Sequence, residues 1–300
     1  MSTPGKNTPL PVIVGCGGIN AAGRISGHHA YRRMVLDALP VAAQERTYKS
    51  LAELMGNGTA AALTAADKCY IRDHTLIRRI ENFDAEAVLW QSALKMTGTN
   101  DGGLCFITAK RQLPALIPED WTLTDLGNNE VKVECSTPLN TMLPELRPSK
   151  VTSAGQLPTG FDPAALYASR NHPRGLQMTV YGASDTLRST GFSVEQLKTM
   201  VAPDEFAVYS GSAMGQLDAD GYAGLLQNPV IGKRPSSKHC ALGLPEMPGD
   251  FVNAYVLGSV GETAGIIGAC ATFLYNVKRG MDDIRCGDKR IVIVGNSEAP

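Results

Sequence analysis

Long hydrophobic runs are missing from this chain of 300 residues. No apolar stretch approaches the length that spans a bilayer, and residues 1 to 9 are polar, without the apolar core of a secretory leader. A strong charge of either sign is missing too. Lys+Arg 28 against Asp+Glu 29 leave a net charge of −1, which argues against a nucleic-acid surface or an anionic membrane as partner. Aromatic residues are sparse at 6%. The seven cysteines, Cys16, Cys69, Cys105, Cys135, Cys240, Cys270 and Cys286, are odd in number and form no C-x-x-C pair. A disulfide framework or a structural zinc is therefore not expected, and a reducing cytoplasm is. The opening glycines fail as a dinucleotide loop, because the residue three after Gly17 is Asn20 and no acidic residue follows at the required distance. No metal and no cofactor are expected.

What is present is an ordinary globular composition, 43% hydrophobic and 19% charged, long enough for one large domain or two. Val12 to Val14 reads as a short buried strand that leaves through Gly15, Gly17 and Gly18. His29 to Leu39 reads as a helix. Residues 41 to 96 carry helical periodicity, broken at 56–58, with Thr64 and Asp67 as candidate caps. Residues 98 to 103 form a turn cluster. Leu104 to Ile107 and Val131 to Cys135 read as strands, and the Pro-rich residues 137 to 163 as a linker or extended wrap. Then follow a helix from Gly175 to Arg188, a strand from Phe206 to Tyr209, a short helix from Asp220 to Leu226 and a loop over 227–250. A helix over Val252 to Leu257 comes next, and a strand over Arg290 to Val294 closes the chain. Alternating helices and short apolar strands predict an α/β fold with a largely buried sheet.

One stretch carries chemistry: Gly261-Glu-Thr-Ala-Gly-Ile-Ile-Gly-Ala-Cys-Ala-Thr272. After Cys270, the residues Ala271, Leu274, Val277, Met281 and Ile284 follow at helical spacing and form one face, so a helix is expected to start at the cysteine. Unpaired N–H groups at a helix start favour a thiolate, the nucleophilic form of cysteine. Small neighbours, Gly268, Ala269 and Ala271, leave room for a thioester. Most lone cysteines are buried structural residues, and the other six are read so; Cys270 is the candidate nucleophile for acyl transfer.

The same stretch resembles the nucleophile region of the β-ketoacyl synthases, the condensing enzymes of fatty-acid synthesis. Their motif runs Thr-Ala-Cys-Ala, a helix, Ile-x-x-Gly, an apolar strand and Gly-Gly-x-Glu-Ala. This chain has Gly-Ala-Cys-Ala, Ile284-Arg-Cys-Gly287 and Ile291-Val-Ile-Val-Gly-Asn-Ser-Glu-Ala299. Gly268 stands where the family has Thr, Glu262 where it has Pro, and Asn296 where it has the second Gly. Further anchors are Pro11 to Gly23, Ser184 to Gly191, Phe206 to Gly215 and Met247 to Gly261. Ala154 to Asp162 and Ser169 to Gly175 are similar to marks of the long bacterial forms.

The resemblance implies the N-terminal half of a thiolase-like fold, a five-stranded mixed sheet with helices, with an enlarged helical insertion over about 28–170. Residues 1–9 would be a disordered lead, 10–300 that half, and the C-terminal half would be absent. It implies a cytoplasmic homodimer that condenses an acyl thioester with malonyl-acyl carrier protein through a Cys270 thioester. The acyl donor would be carrier protein or coenzyme A. Phe273, next to the nucleophile on the helix, reads equally as an acyl-pocket residue or a core residue. The family's two catalytic histidines and lysine follow the cysteine, whereas the five histidines of this chain all precede Cys270. Among them His28, His29 and His172 are the candidates to substitute. The chain alone is therefore expected to be inactive. The alternatives are a thiolase, or a non-catalytic half that dimerises or binds carrier protein.

Overall fold

The structure is a computed structural model that describes residues 9–56, 58, 62–81, 84–96, 103–136, 138–258 and 261–299. The lead expected over residues 1–9 lies almost wholly outside the described residues, as does most of the turn cluster at 98–103. The chain forms two compact units, one of residues 1–78 with 155–300 and one of residues 79–154.

The larger unit opens with the hairpin β1 (Ile19–Asn20) and β2 (Gly23–Arg24), then α1 (His29–Met34), α2 (Val41–Leu54), α3 (Ala65–Asp73) and β3 (Ile77–Arg79), which runs to the boundary. Thr64 caps α3: its hydroxyl accepts from Asp67 N, and the Asp67 carboxylate accepts from Thr64 N, a reciprocal capping box. Leu36, Tyr48, Leu51, Ala52, Met55 and Ile71 close a small helical core.

The smaller unit is built of strands: β4 (Val88–Met96), β5 (Leu104–Ala109), β6 (Trp121–Gly127), β7 (Glu130–Cys135) and β8 (Leu139–Arg147), with β9 (Ser153–Gly155) at its end. β4 pairs antiparallel with β8, and β7 lies between β5 and β6. Val131, Val133 and Cys135 are buried in alternation, as the sequence pattern predicts. Among the described residues the α-helices of the expected helical insertion thus end at Asp73, with only the 3-10 turns Lys110–Gln112 and Pro163–Leu166 beyond it. Helical periodicity failed beyond that point because Val88–Met96 is long enough to satisfy either pattern, and pairing with β8 decides for strand. The expected linker over 137–163 holds β8 itself; Pro144 sits in a two-stranded ribbon, where a missing N–H is tolerated.

Residue 155 onward completes the larger unit with α4 (Arg174–Thr190), α5 (Val194–Met200), β10 (Phe206–Gly211), α6 (Tyr222–Val230), α7 (Ser237–Gly243), α8 (Met247–Val252), β11 (Glu262–Ala264), α9 (Thr272–Cys286) and β12 (Ile291–Asn296). The expected loop over 227–250 contains α7, which Ser236 caps. A π-helical turn, Asn253–Leu257, continues α8. The α/β fold is as expected. Among the described residues its sheet has three strands, all parallel, in the order β11-β10-β12, where five mixed strands were expected.

β10 is buried along its whole length, as a central parallel strand must be. Phe206 and Val208 pack with Leu187, Leu197, Val252, Leu257 and Ile293 in the main core. On the opposite face Tyr209 donates a 2.6 Å hydrogen bond to Asp283 of α9, and Arg279 pairs with the same carboxylate at 2.9 Å. Burial, and then this bond, push the Tyr209 hydroxyl up to about 12, so it remains a donor at neutral pH.

Val12 to Val14 form no strand and are 68–94% exposed. The backbone after them lies directly on α4. A Cβ on Gly17 would stand 2.3 Å from Thr186 N, so glycine is required there by close approach. Asp185 of α4, 6% exposed, fixes this segment: it accepts from Gly18 N at 3.0 Å, Ser26 N at 3.2 Å and Ser26 Oγ at 2.6 Å, with Arg24 Nε at 3.7 Å. Asp185→Ala would leave those donors buried without an acceptor. It should lower unfolding free energy by about 3 kcal/mol, seen as a shifted urea midpoint with unchanged slope.

Candidate active site

The candidate nucleophile sits where β11 hands over to α9. β11 runs parallel to β10, with Ala207 opposite Glu262 and Tyr209 opposite Ala264. Thr263 Oγ1 donates to Asp250 Oδ1 and ties β11 to α8. Residues 265–268 then cross to a 3-10 turn, Ala269–Ala271, and α9 begins at Thr272. Cys270 is therefore two residues before the helix, inside a tight turn, and its thiol is exposed. Ala269 has φ +48°, a left-handed conformation that costs a non-glycine residue on the order of 1 kcal/mol.

Two buried side chains of α9 hold this turn. Thr272 Oγ1 accepts from Gly268 N at 3.0 Å and donates to Ala269 O at 2.8 Å. Asn276 accepts from Ile266 N at 2.9 Å, and its Nδ2 donates to Ile266 O at 3.1 Å and Thr272 O at 2.8 Å. Thr272 is 1% exposed and Asn276 0%. The sequence reading missed both. Their signal is the small and polar series Thr272, Asn276, Gly280, Asp283, which recurs at spacings of four, four and three and forms the buried face of α9.

That face is not the apolar one. The apolar series Leu274, Val277, Met281 and Ile284 lies on another side; Leu274 is 66% exposed and the other three are half-buried. Phe273, the candidate acyl-pocket residue, is 46% exposed and packs in no core cluster of the described residues.

The candidate histidines do not reach the thiol. Among the described residues Cys270 Sγ has no hydrogen-bond partner. His28 is exposed with φ +60°. Burial, and then Arg24 and Arg32, lower the affinity of His29 for a proton. His172 lies among Tyr167, Phe251 and Tyr255, with the Tyr167 hydroxyl 3.2 Å from its Nδ1, and burial lowers its affinity for a proton. Glu298, in the family's Glu-Ala signature, serves the scaffold. Its carboxylate accepts from Ser212 Oγ and Ala213 N and fixes the loop after β10 to the end of β12.

No family model matches the chain. The curated β-ketoacyl-[acyl-carrier-protein] synthase FabY of Pseudomonas aeruginosa is 46% identical over 97% of this chain, which covers 49% of that protein. The crystal structure of the noncanonical ketosynthase FabY from P. aeruginosa matches with a TM-score of 0.89 and 45% identity, over 100% of this chain and 50% of that one. This chain spans about half the length of the curated relative it matches. The resemblance read from the sequence holds over nearly every residue, and the fold is thiolase-like.

The departure at Gly268 has a local cause. A Cβ there would fall 2.1 Å from Cε2 of the Tyr275 ring, so the ring occupies the space a threonine would need. Gly268→Thr should destabilise the chain by about 1 kcal/mol, and Tyr275→Ala should remove most of that cost in the double variant. A thermal-unfolding double-mutant cycle measures the coupling; additive effects would contradict the overlap.

Proposed function

We propose that this chain, homologous to half of a β-ketoacyl synthase, is the nucleophile-bearing portion of such an enzyme and that Cys270 is its acyl acceptor. The supporting observation is the exposed thiol in a strained, internally braced turn directly before α9. The Cys270 thiolate attacks the carbonyl of an acyl thioester. The thiolate of carrier protein or coenzyme A leaves, and the acyl group rests on sulfur. Malonyl carrier protein then loses CO₂, its enolate attacks the Cys270 thioester, and the cysteine thiolate leaves as β-ketoacyl carrier protein forms.

Decarboxylation needs donors that stabilise the enolate. In this proposal they come from residues beyond this chain, which would form the C-terminal half, with 10–300 as the N-terminal half. Two observations support this: the chain spans about half of its relative, and α9 turns an apolar side outward while its polar side meets the sheet. A helix with two dissimilar faces, each suited to burial, fits a position between two bodies. Phe273 on that outward side would reach the acyl chain. The enzyme would be a cytoplasmic homodimer. β11 is an edge strand among the described residues and Ile266 beside it is 41% exposed, as an interface there would require.

Carrier protein is acidic, so its dock should be basic. Arg33, Arg78, Lys278 and Arg279 are bonded within the chain. Lys233, Arg234 and Lys238, beside α6 and α7, are exposed and form no ion pair among the described residues, which suits them to that contact.

Two outcomes follow. Incubated with a radiolabelled acyl thioester, the complete enzyme should label on Cys270, and Cys270→Ala should abolish the label; labelling that persists would refute the assignment. The 300-residue chain alone, given acetyl-coenzyme A and malonyl carrier protein, should form product at least about 10²-fold more slowly than a complete enzyme, because the enolate donors are missing. Mass spectrometry of the carrier reads this, and turnover at an ordinary enzymatic rate would overturn it.

A further inference from the structure

The turn that carries Cys270 is not held by the sheet. β11 ends at Ala264, and residues 265–268 have no strand partner among the described residues. Their backbone groups are met from the helix side. Asn276 addresses both the N–H and the C=O of Ile266, as a neighbouring strand would, and Thr272 bridges Gly268 N and Ala269 O. These two side chains fix the backbone on either side of the left-handed Ala269, immediately before Cys270.

We infer that Thr272 and Asn276 are positioning residues: they set the backbone torsions of the turn that presents Cys270 ahead of α9. The inference rests on Cys270 being the reactive cysteine of the proposed function. An apolar residue at position 276 would pack a helix against a sheet more simply than a buried amide, which must find a partner for every polar atom. Asn276 does find them, and all but one lie on Ile266. A fully satisfied polar network of this kind specifies one arrangement rather than adding general stability. It also holds Ala269 in a conformation that persists only when its surroundings over-determine it.

The test is the alkylation rate of each cysteine in the 300-residue chain by iodoacetamide, read by peptide mass spectrometry at one neutral pH. Cys286, exposed at the far end of the same helix, is the internal reference. In the unsubstituted chain Cys270 should react at least about tenfold faster than Cys286. Asn276→Ala and Thr272→Val should lower the Cys270:Cys286 ratio about tenfold, because small misplacements of a reacting group have large rate effects. Cys286 itself and the far-ultraviolet circular dichroism should not change. Thr272→Ser, which keeps the hydroxyl, should keep the ratio. A role in stability alone predicts a lower melting temperature with the ratio intact. If Asn276→Ala does not fold, the Thr272→Val and Thr272→Ser pair decides. A high ratio that survives Thr272→Val, or one that Thr272→Ser lowers equally, overturns the positioning role and leaves Cys270 as the nucleophile. A ratio near one in the unsubstituted chain overturns both.

Discussion

The buried polar side of α9 is the constraint on which the rest depends. Thr272, Asn276 and Asp283 lie against the strands where a helix of this length would ordinarily place leucine or valine. Each has a definite task. Asp283 receives the Tyr209 hydroxyl and the Arg279 guanidinium, which fixes the helix on β10. Asn276 and Thr272 reach the segment that leads in from β11. The helix is therefore docked by directional bonds at both ends of its buried side. Directional bonds fix a rotation and a register, which apolar packing alone leaves looser.

Two consequences follow from that docking. The first is local: the strained turn at Ala269 has its neighbours pinned, so the thiol of Cys270 is presented from a defined backbone. The second is global: with its polar side committed inward, α9 leaves Phe273, Leu274 and Tyr275 exposed. Exposed apolar side chains grouped on one helix are unusual on a finished surface. They fit a helix that a second body covers, in line with a relative twice as long as this chain. The same economy governs the N-terminal segment. Val12, Ile13 and Val14 have strand-forming side chains but no strand edge among the described residues, and the glycines that follow, with Asp185 and with Ser189, whose hydroxyl accepts from Cys16 N, attach the segment to α4.

Much of the site was legible in the sequence because its cues are local. A cysteine among small residues before a periodic run marks a strand-to-helix passage, and the structure puts one there, with the helix starting at Thr272. β10, β12 and α4 announced themselves by apolar runs and glycine stops. What failed was whatever depends on partners far along the chain. Helical periodicity at 77–96 gave way to strands, since an apolar run takes the period its partner imposes. Apolar spacing located α9 but does not say which of its sides meets the sheet. Asn276 and Thr272 were overlooked for the same reason: the polar side of an amphipathic helix is normally the wet one.

The most direct measurement of this account is hydrogen exchange at the backbone amides of Ile266 and Gly268. Neither belongs to a strand or a helix, yet each donates to a buried side chain of α9. The account predicts that both exchange as slowly as the amides of β11, and far more slowly than the amide of exposed Arg234 in the loop after α6. Exchange of Ile266 and Gly268 at the rate of Arg234 would show that α9 does not hold the turn, and the placement of Cys270 would need another explanation.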